Sequence, residues 1–377
     1  MTPSLEPTPI VDAGRLEPLL TRGSDGRPTR VSVLTGSYGA GHDSAAREVA
    51  TVLRGAGCEV VVLDLVTLLP WRLGPVLRAA YYRQLRRLPR SWRRTLELLE
   101  AGRPLHRLVT GLLGLAAGRV VSAVHDCDLV VTTHPFGAQA LGHARTTGRL
   151  GCPAVTYATD ASVHSLWVHP GIDLTLAIHQ VAADDARRWG VAATVVTPLV
   201  RRQAPGRHSA DPLVALVAGG SRALVTGGSL GMGDLEGTCR DIVATGLMTP
   251  VAMCGTDEVL RRRLARIPGV VALGWREDLP ALMAASDCVV QNAGGFSSLE
   301  ALASGTPVIT YRPVPGHGEA NSVNLEKAGL VPWARTIGDL ARLLGAAKRA
   351  PRVDRLPTDA PDVVEVLIAQ HASATAA

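Results

Sequence analysis

One pattern recurs along this sequence: a short apolar run leads through glycines into a helical segment. Its first instance is VSVLTGSYGAGHDSAAREV, at residues 31–49, and the pattern restarts at RALVTGGSLGMGDLEG in the second half of the chain. Several of the apolar runs are continuous, which is typical of strands covered on both faces. Alternating strands and helices of this kind predict an α/β protein with parallel sheets.

The length of 377 residues suits two domains of similar size. Strands of the first half are expected at 30–34, 59–65, 128–133, 154–158, 174–178 and 194–197. The expected organisation is a loose N-terminal tail at 1–29, a first βαβ domain at 30–200, a linker at 201–212, a second domain at 213–350, and a terminal segment at 351–377 that packs back towards the first domain. Ligands of such sheets lie beyond the carboxyl ends of the strands, so the cleft between the domains should hold the site.

The composition argues against several classes of protein. Arginine supplies nearly all the positive charge, because the only lysines are Lys327 and Lys348; a Schiff-base lysine enzyme is therefore disfavoured. The six cysteines form no C-x-x-C pair, which argues against a zinc finger or a disulfide framework and favours a reducing cytoplasm. The first 29 residues lack the apolar core of a signal peptide.

A basic band occupies residues 66–115. Between Asp64 and Glu97 the sequence contains eight arginines and no acid, although the whole chain carries a net charge of only +6. The band is predicted to form an amphipathic helix with an apolar face and cationic flanks, a pattern typical of helices that lie on an anionic membrane. The apolar face comprises Leu77, Tyr81, Leu85 and Leu88, and the membrane-facing residues are Arg83, Arg86, Arg87 and Trp92. The alternative is an ordinary solvated helix, while nucleic acid is disfavoured because no binding motif accompanies the charge.

Two glycine-rich turns could each hold an anion on backbone N–H groups at a helix start. One spans residues 36–41 and the other residues 227–229. Neither has the spacing of a dinucleotide-binding fingerprint or the lysine of a Walker A loop. The first turn also delivers a histidine, His42, which a simple phosphate site does not need.

Seven segments, taken in order, resemble the GT-B glycosyltransferases. They are most similar to the monogalactosyldiacylglycerol synthase and processive diacylglycerol glucosyltransferase branch, with MurG a more distant relative. The segments are GAGHDSAA at 39–46, YATDASVHSLWVHPGID at 157–173, VTPLVR at 196–201, LVTGGSLGMG at 224–233, CGTDEVLRRRL at 254–264, GWREDLPALMAASD at 274–287 and AGGFSSLEALASGTPVI at 293–309. No single segment is decisive, but their order is specific.

The resemblance implies two Rossmann-like domains that face a central cleft, with a UDP-sugar bound by the second domain. Glu300 is expected to hold the ribose hydroxyls, since two carboxylate oxygens match two vicinal donors. The other donor-binding residues implied are Gly227, Gly228 and Ser229 for the diphosphate, Trp275 and Arg276 for the uracil edge, and Gly294, Gly295, Ser297, Glu319 and Asn321. The string PGHGEAN at 315–321 and Thr256 depart from the family pattern, which leaves the sugar open.

The same resemblance places the acceptor at the first glycine turn and implies that His42 is the general base. The positive end of its helix disfavours an imidazolium and so favours a neutral, proton-accepting ring. Asp160 would orient His42 or itself take the proton, and the alternative for both residues is a helix-capping role. The expected acceptor-lining residues are Gly39, Gly41, His134, His164 and Trp167.

These expectations describe an inverting, UDP-sugar-dependent glycosyltransferase that transfers a hexose to a lipid hydroxyl, of diacylglycerol or a glycolipid, without an obligatory cofactor or metal ion. It is expected in the cytoplasm, attached peripherally to the inner face of the membrane. Three alternatives stay open: a transferase acting on a hydrophobic secondary metabolite, an isomerase like the UDP-N-acetylglucosamine 2-epimerases, and a non-catalytic nucleotide-sugar-binding regulator.

Overall fold

The computed structural model describes residues 27–99, 103–201, 220–354 and 359–367 together with residues 356 and 370, except for the side chains of residues 72, 86, 89 and 90. Most of the expected N-terminal tail, the linker beyond Arg201 and the side chain of Arg86 therefore lie outside the described part of the chain.

The first domain contains a six-stranded parallel sheet with the strand order β2-β1-β3-β4-β5-β6. Its strands are β1 (Arg30–Thr35), β2 (Glu59–Asp64), β3 (Leu129–Thr132), β4 (Ala154–Ala158), β5 (Leu174–Ala177) and β6 (Ala193–Val195). All six predicted strands are present, and each of their ends lies within two residues of the prediction. The sequence therefore predicts the sheet well, because apolar runs between helices can only pair as parallel strands.

The described part of the first domain contains seven α-helices. They are α1 (Ala40–Gly55), α2 (Leu65–Leu68), α3 (Leu73–Arg87), α4 (Pro89–Leu98), α5 (Pro104–Ala123), α6 (Pro135–Thr146) and α7 (Gln180–Arg188). Helix α1 buries Ala45, Ala46, Val49 and Leu53 completely against the sheet. That packing fixes the start of α1, and with it His42, at the carboxyl end of β1.

The second domain repeats the arrangement with the strand order β12-β11-β10-β7-β8-β9. Its strands are β7 (Arg222–Thr226), β8 (Thr249–Met253), β9 (Val271–Leu273), β10 (Cys288–Gln291), β11 (Val308–Tyr311) and β12 (Trp333–Ala334). Its helices are α8 (Leu235–Thr245), α9 (Glu258–Leu264), α10 (Leu279–Ala285), α11 (Phe296–Ala303), α12 (His317–Lys327) and α13 (Ile337–Ala347). Two doubly wound domains with facing strand ends are the predicted GT-B architecture.

The basic band forms several helices rather than one. Pro89 begins a new helix, so the segment divides into α3 and α4, which pack together with α5 above the cleft. Leu77, Tyr81 and Leu85 share one face as predicted, but that face lines the cavity and does not lie on a membrane. Leu88 caps the break between α3 and α4 and is 64% exposed. None of the described helices combines the length and the apolar character needed to cross a bilayer.

The terminal segment contacts the first domain where it is described. Thr197 donates hydrogen bonds to the carbonyl oxygens of Pro361 and Ala360, at 3.0 and 2.7 Å. Val363 and Leu367 are fully buried in the large apolar core of the protein. This contact ties the end of the chain to the loop that follows β6.

Candidate functional site

A cavity of about 970 Å³ runs through the cleft between the two domains. On the first domain it is lined by Gly39, Gly41, His42, His134, Thr159, Asp160 and His164. On the second it is lined by Gly227, Gly228, Ser229, Trp275, Arg276, Gly294, Gly295, Ser297 and Glu300. Most of the residues predicted for donor and acceptor thus face one space.

His42 lies in the first turn of α1, and its hydrogen bonds fix the tautomer of the ring. Nδ1 is 2.8 Å from the carbonyl oxygen of Thr133 and 3.1 Å from Thr159 Oγ1. A carbonyl oxygen can only accept, so the proton of a neutral ring resides on Nδ1. The lone pair is then on Nε2, and the ring can accept a proton there.

Asp160 follows β4 and reaches the start of α11 in the other domain. Its Oδ1 accepts a hydrogen bond from Asn321 Nδ2 at 3.3 Å and would lie 3.4 Å from a Cβ atom added at Gly295. The hydrogen-bond partners of the His42 ring are Thr133 and Thr159, so orientation of His42 falls to those two residues rather than to Asp160.

His134 and His164 also line the cavity, and burial favours the neutral form of both rings. His134 Nδ1 accepts from the N–H of Phe136 at 3.1 Å and caps α6, and burial holds its pKa well below the usual range. Burial also lowers the pKa of His164 to about 4, despite the opposing effect of Asp160. The acceptor-binding prediction for Trp167 is wrong, because this side chain is fully buried in a core behind the cavity.

Glu300 is a buried carboxylate in the second turn of α11. It is 5% exposed, and burial raises its pKa to about 7, with Glu48 acting in the same direction and Arg201 and Arg47 against it. Among the described residues, no hydrogen bond to its side-chain oxygens is found. Glu300 also lines the cavity, so its carboxylate can accept hydrogen bonds from a ligand there.

The start of α11 opens into the cleft from the second domain. Gly295 caps it without a side-chain hydrogen bond, and its first turn contains no acid. By contrast, α8 begins beyond the turn at 227–229 and is already capped by Asp234. Gly228 has φ of 74°, which suits glycine, and Ser229 Oγ accepts from the N–H of Ala40 across the cleft at 3.3 Å.

Glu319 and Asn321 belong to the domain contact rather than to the donor site, which corrects the prediction for both. Glu319 lies at the start of α12, where its carboxylate accepts from Arg93 Nε at 2.9 Å and from the N–H of Gly316 at 3.0 Å. Asn321 bonds to Asp160, Ser162 and its own domain.

Trp92 faces the cleft and not a membrane, which corrects the prediction for this residue. Its Nε1 donates to His317 Nδ1 at 3.0 Å, and its ring packs against Tyr81. Gly316, with φ of 84°, lies directly under α4, because a Cβ atom there would be 2.7 Å from Leu96 Cδ1.

Comparison with known proteins agrees with this architecture. Residues 42–199 match the family model of monogalactosyldiacylglycerol (MGDG) synthase. The processive diacylglycerol β-glucosyltransferase of Bacillus cereus strain G9842 is 24% identical over 384 residues, covering 91% of this chain and 94% of the relative.

Solved structures extend the likeness over both domains. The glycosyltransferase SnogD from Streptomyces nogalater covers 92% of this chain and 99% of its own, with a TM-score of 0.58 and 18% identity. MurG of Acinetobacter baumannii covers 92% of this chain and 100% of its own, with a TM-score of 0.52 and 15% identity. The protein is a GT-B glycosyltransferase. The resemblance predicted from its sequence is confirmed.

The glycosyltransferase also has an apolar chamber that sequence analysis did not foresee. The cavity continues from His42 into a space between α3, α4 and α5. This part of the wall comprises Leu69, Leu73, Leu77, Ala80, Tyr81, Leu85, Trp92, Leu96, Leu99, Val109, Leu112 and Leu113. The amphipathic pattern of the band was visible in the sequence, but the pattern cannot distinguish a face that lines a chamber from one that lies on a surface.

No cluster of three or more His, Cys, Asp or Glu residues suited to a metal ion occurs in the described part of this glycosyltransferase. The sequence Asp126–Cys127–Asp128 has the D-x-D spacing of some metal sites, but it lies just before β3, at the amino end of the strands and away from the cleft. Asp128 accepts a hydrogen bond from Arg27 Nη2 at 2.9 Å.

Proposed function

We propose that this enzyme is an inverting, UDP-sugar-dependent glycosyltransferase that transfers a hexose to a hydroxyl of a lipid acceptor, diacylglycerol or a glycolipid. The observation that carries the proposal is the continuity of the cavity. One space joins an apolar chamber, a histidine whose Nε2 can accept a proton and a carboxylate that lines the cavity wall.

The donor side rests on Glu300 and the start of α11. The ribose diol of UDP supplies two donors, which match the two acceptor oxygens of the carboxylate. The N–H groups at Gly295 and Ser297 and the turn at Gly228 face the diphosphate, whose negative charge is favoured by the positive helix end. Trp275, half-exposed at the cleft, faces the uracil.

The acceptor side rests on the chamber and His42. An acyl chain in the chamber would gain free energy from leaving water, about 0.8 kcal/mol for each buried CH₂ group. Its glycerol or sugar hydroxyl would then lie at the chamber's inner end, where His42 Nε2 accepts the hydroxyl proton. The related transferases are named for diacylglycerol, which supports a lipid in this position.

The reaction forms one bond and breaks one bond. The acceptor oxygen attacks the anomeric carbon as its proton passes to His42 Nε2, and the bond from that carbon to the UDP oxygen breaks. UDP departs towards the start of α11 with the electron pair. Attack from the opposite face inverts the anomeric centre, so an α-linked donor gives a β-glycoside.

A donor screen tests this function directly. Purified enzyme is incubated with each of several UDP-hexoses and with diacylglycerol in mixed micelles, and UDP release and glycolipid formation are measured. We expect both products with at least one donor. UDP release that requires a hydrophobic secondary metabolite in place of lipid would overturn the proposed lipid acceptor. Formation of an epimer of the UDP-sugar without any acceptor would overturn the proposed transferase activity.

We further propose peripheral attachment to an anionic membrane through the outer face of the basic band. Arg83 and Arg87 are exposed on α3, and Trp71 is 80% exposed at a turn with φ of 51°. Each arginine near an anionic surface contributes about 1 kcal/mol. Trp71 is exposed whereas Trp92 lines the cavity, so Trp71 is the proposed aromatic anchor.

Liposome flotation measures this attachment. The double variant R83Q/R87Q should bind vesicles that contain anionic lipid at least about tenfold more weakly than wild type, because two favourable charges are lost. The matched control is R262Q/R266Q, which removes two exposed arginines from the second domain and should float like wild type. Equal loss in both variants would indicate a net-charge effect and contradict the proposed face.

A further inference from the structure

Helix α12 carries two buried asparagines that reach across the domain boundary. Asn321 is 1% exposed and Asn324 is 6% exposed, and both contact the loop at 160–163 that follows β4. Buried amides need every polar atom satisfied, since an unpaired one costs about 1–3 kcal/mol. Their partners therefore define what each asparagine does.

Asn321 uses its whole amide. Oδ1 accepts from the N–H and the Oγ of Ser162, at 2.9 and 2.8 Å, and Nδ2 donates to Asp160 Oδ1 at 3.3 Å and to the Ala293 carbonyl oxygen at 3.2 Å. Both amide hydrogens and both lone pairs are engaged. The amide therefore has no capacity left for a substrate, but it fixes the position of the Asp160 carboxylate.

Asn324 makes equivalent contacts one turn further along without touching Asp160. Its Nδ2 donates to the carbonyl oxygen of Ala161 at 2.8 Å and to Asp185 Oδ2 at 2.6 Å. Both asparagines thus join the domains through the same loop, but only Asn321 holds the carboxylate. This difference makes Asn324 a built-in control.

We infer that Asn321 is a positioning residue for the transfer reaction. It holds the Asp160 carboxylate at the start of α11, in the cavity that also contains His42, only while the two domains are together. This interdomain hydrogen bond couples the position of the Asp160 carboxylate to the contact between the two domains. This inference rests on the proposed transferase function.

The test compares N321A with N324A in steady-state kinetics. A misplaced group near the reacting atoms costs up to about 100-fold in rate, so we expect kcat of N321A to fall about 10–100-fold. The KM for the UDP-sugar should stay within about threefold, because Asn321 does not touch the donor. N324A should keep kcat within about threefold of wild type, since it loosens the loop without freeing Asp160.

Hydrogen–deuterium exchange provides a readout that does not depend on activity. The N–H of Ser162 should exchange faster in N321A than in wild type. In N324A the same N–H should exchange at a rate close to that of wild type. S162A, which removes a single hydrogen bond, gives a milder variant should N321A fail to fold.

The outcomes separate the two proposals. A rise in donor KM with unchanged kcat in N321A would assign Asn321 to the donor, and equal losses of kcat in N321A and N324A would assign it to domain contact alone; either result overturns the inference. If the wild-type enzyme is inactive with every UDP-sugar, the proposed function is overturned. In that case an unchanged hydrogen–deuterium exchange rate of the Ser162 N–H in N321A would overturn the inference about Asn321 as well.

Discussion

Replacing His42 by alanine is expected to lower kcat about 10²–10⁴-fold, the usual contribution of a positioned general base. The ring carries its proton on Nδ1, towards the Thr133 carbonyl oxygen, and presents Nε2 as the proton acceptor. The KM for the UDP-sugar should change little, because the proposed donor site is on the second domain. Initial rates of UDP release at saturating acceptor measure the effect.

H42N separates proton transfer from packing. Asparagine keeps an N–H donor for the Thr133 carbonyl oxygen but has no second ring nitrogen, so it should be nearly as inactive as alanine. Unfolding temperatures of both variants should match wild type within a few degrees. A kcat for H42N within tenfold of wild type would show that His42 only orders its turn.

Replacing Glu300 by glutamine is expected to raise the KM for the UDP-sugar about 10–100-fold, because charge-assisted hydrogen bonds to the ribose contribute roughly 1.5–3 kcal/mol. The same change should stabilise the unliganded protein at pH 8. Burial raises the pKa of Glu300 to about 7, so the ionised carboxylate is disfavoured in the folded state. Calorimetric titration with UDP and thermal unfolding measure the two effects.

The sign of the pH dependence follows from the raised pKa. The folded protein holds this proton more tightly than the unfolded chain, so the stability of wild type relative to E300Q falls as pH rises from the unfolded pKa through about 7. The affinity for the donor should rise with pH, since the ribose hydroxyls bind the ionised carboxylate. The donor KM of wild type should fall about tenfold between pH 6 and pH 8.

In E300Q this pH dependence should disappear. The other charged groups that face Glu300 are Arg201, Glu48 and Arg47, and E48Q is the matched control because it leaves the ribose carboxylate in place. E48Q should retain most of the change in KM between pH 6 and pH 8. A donor KM that is flat with pH in wild type would contradict the assignment of Glu300.

The fold was predictable because it depends on patterns that the chain repeats. Continuous apolar runs such as 30–34 and 154–158 can be buried only as strands covered on both faces, and the glycines after them mark the turns. The sequence also places His42 and Glu300 at the cavity, because each lies within a turn or two of a glycine-marked helix start; their roles stay predictions. Local sequence fixes the position of such residues relative to the sheet.

Residues whose roles depend on the facing domain could not be predicted. The sequence of α12 shows Glu319 and Asn321 as polar residues near a glycine, but their partners Arg93 and Asp160 are more than 150 residues away. The tautomer of His42 depends on a backbone carbonyl, which any residue would supply. The chamber depends on how α3, α4 and α5 pack, which periodicity alone does not specify.

Helix α4 has consequences for the order of events in catalysis. Trp92 and Leu96 form part of the chamber wall, and the same two side chains meet His317 and Gly316 of the second domain. Were a lipid in the chamber to shift this junction, the affinity for a nucleotide in the cleft would change with it. Thermodynamic linkage makes that influence reciprocal, so the nucleotide must alter lipid affinity by the same factor.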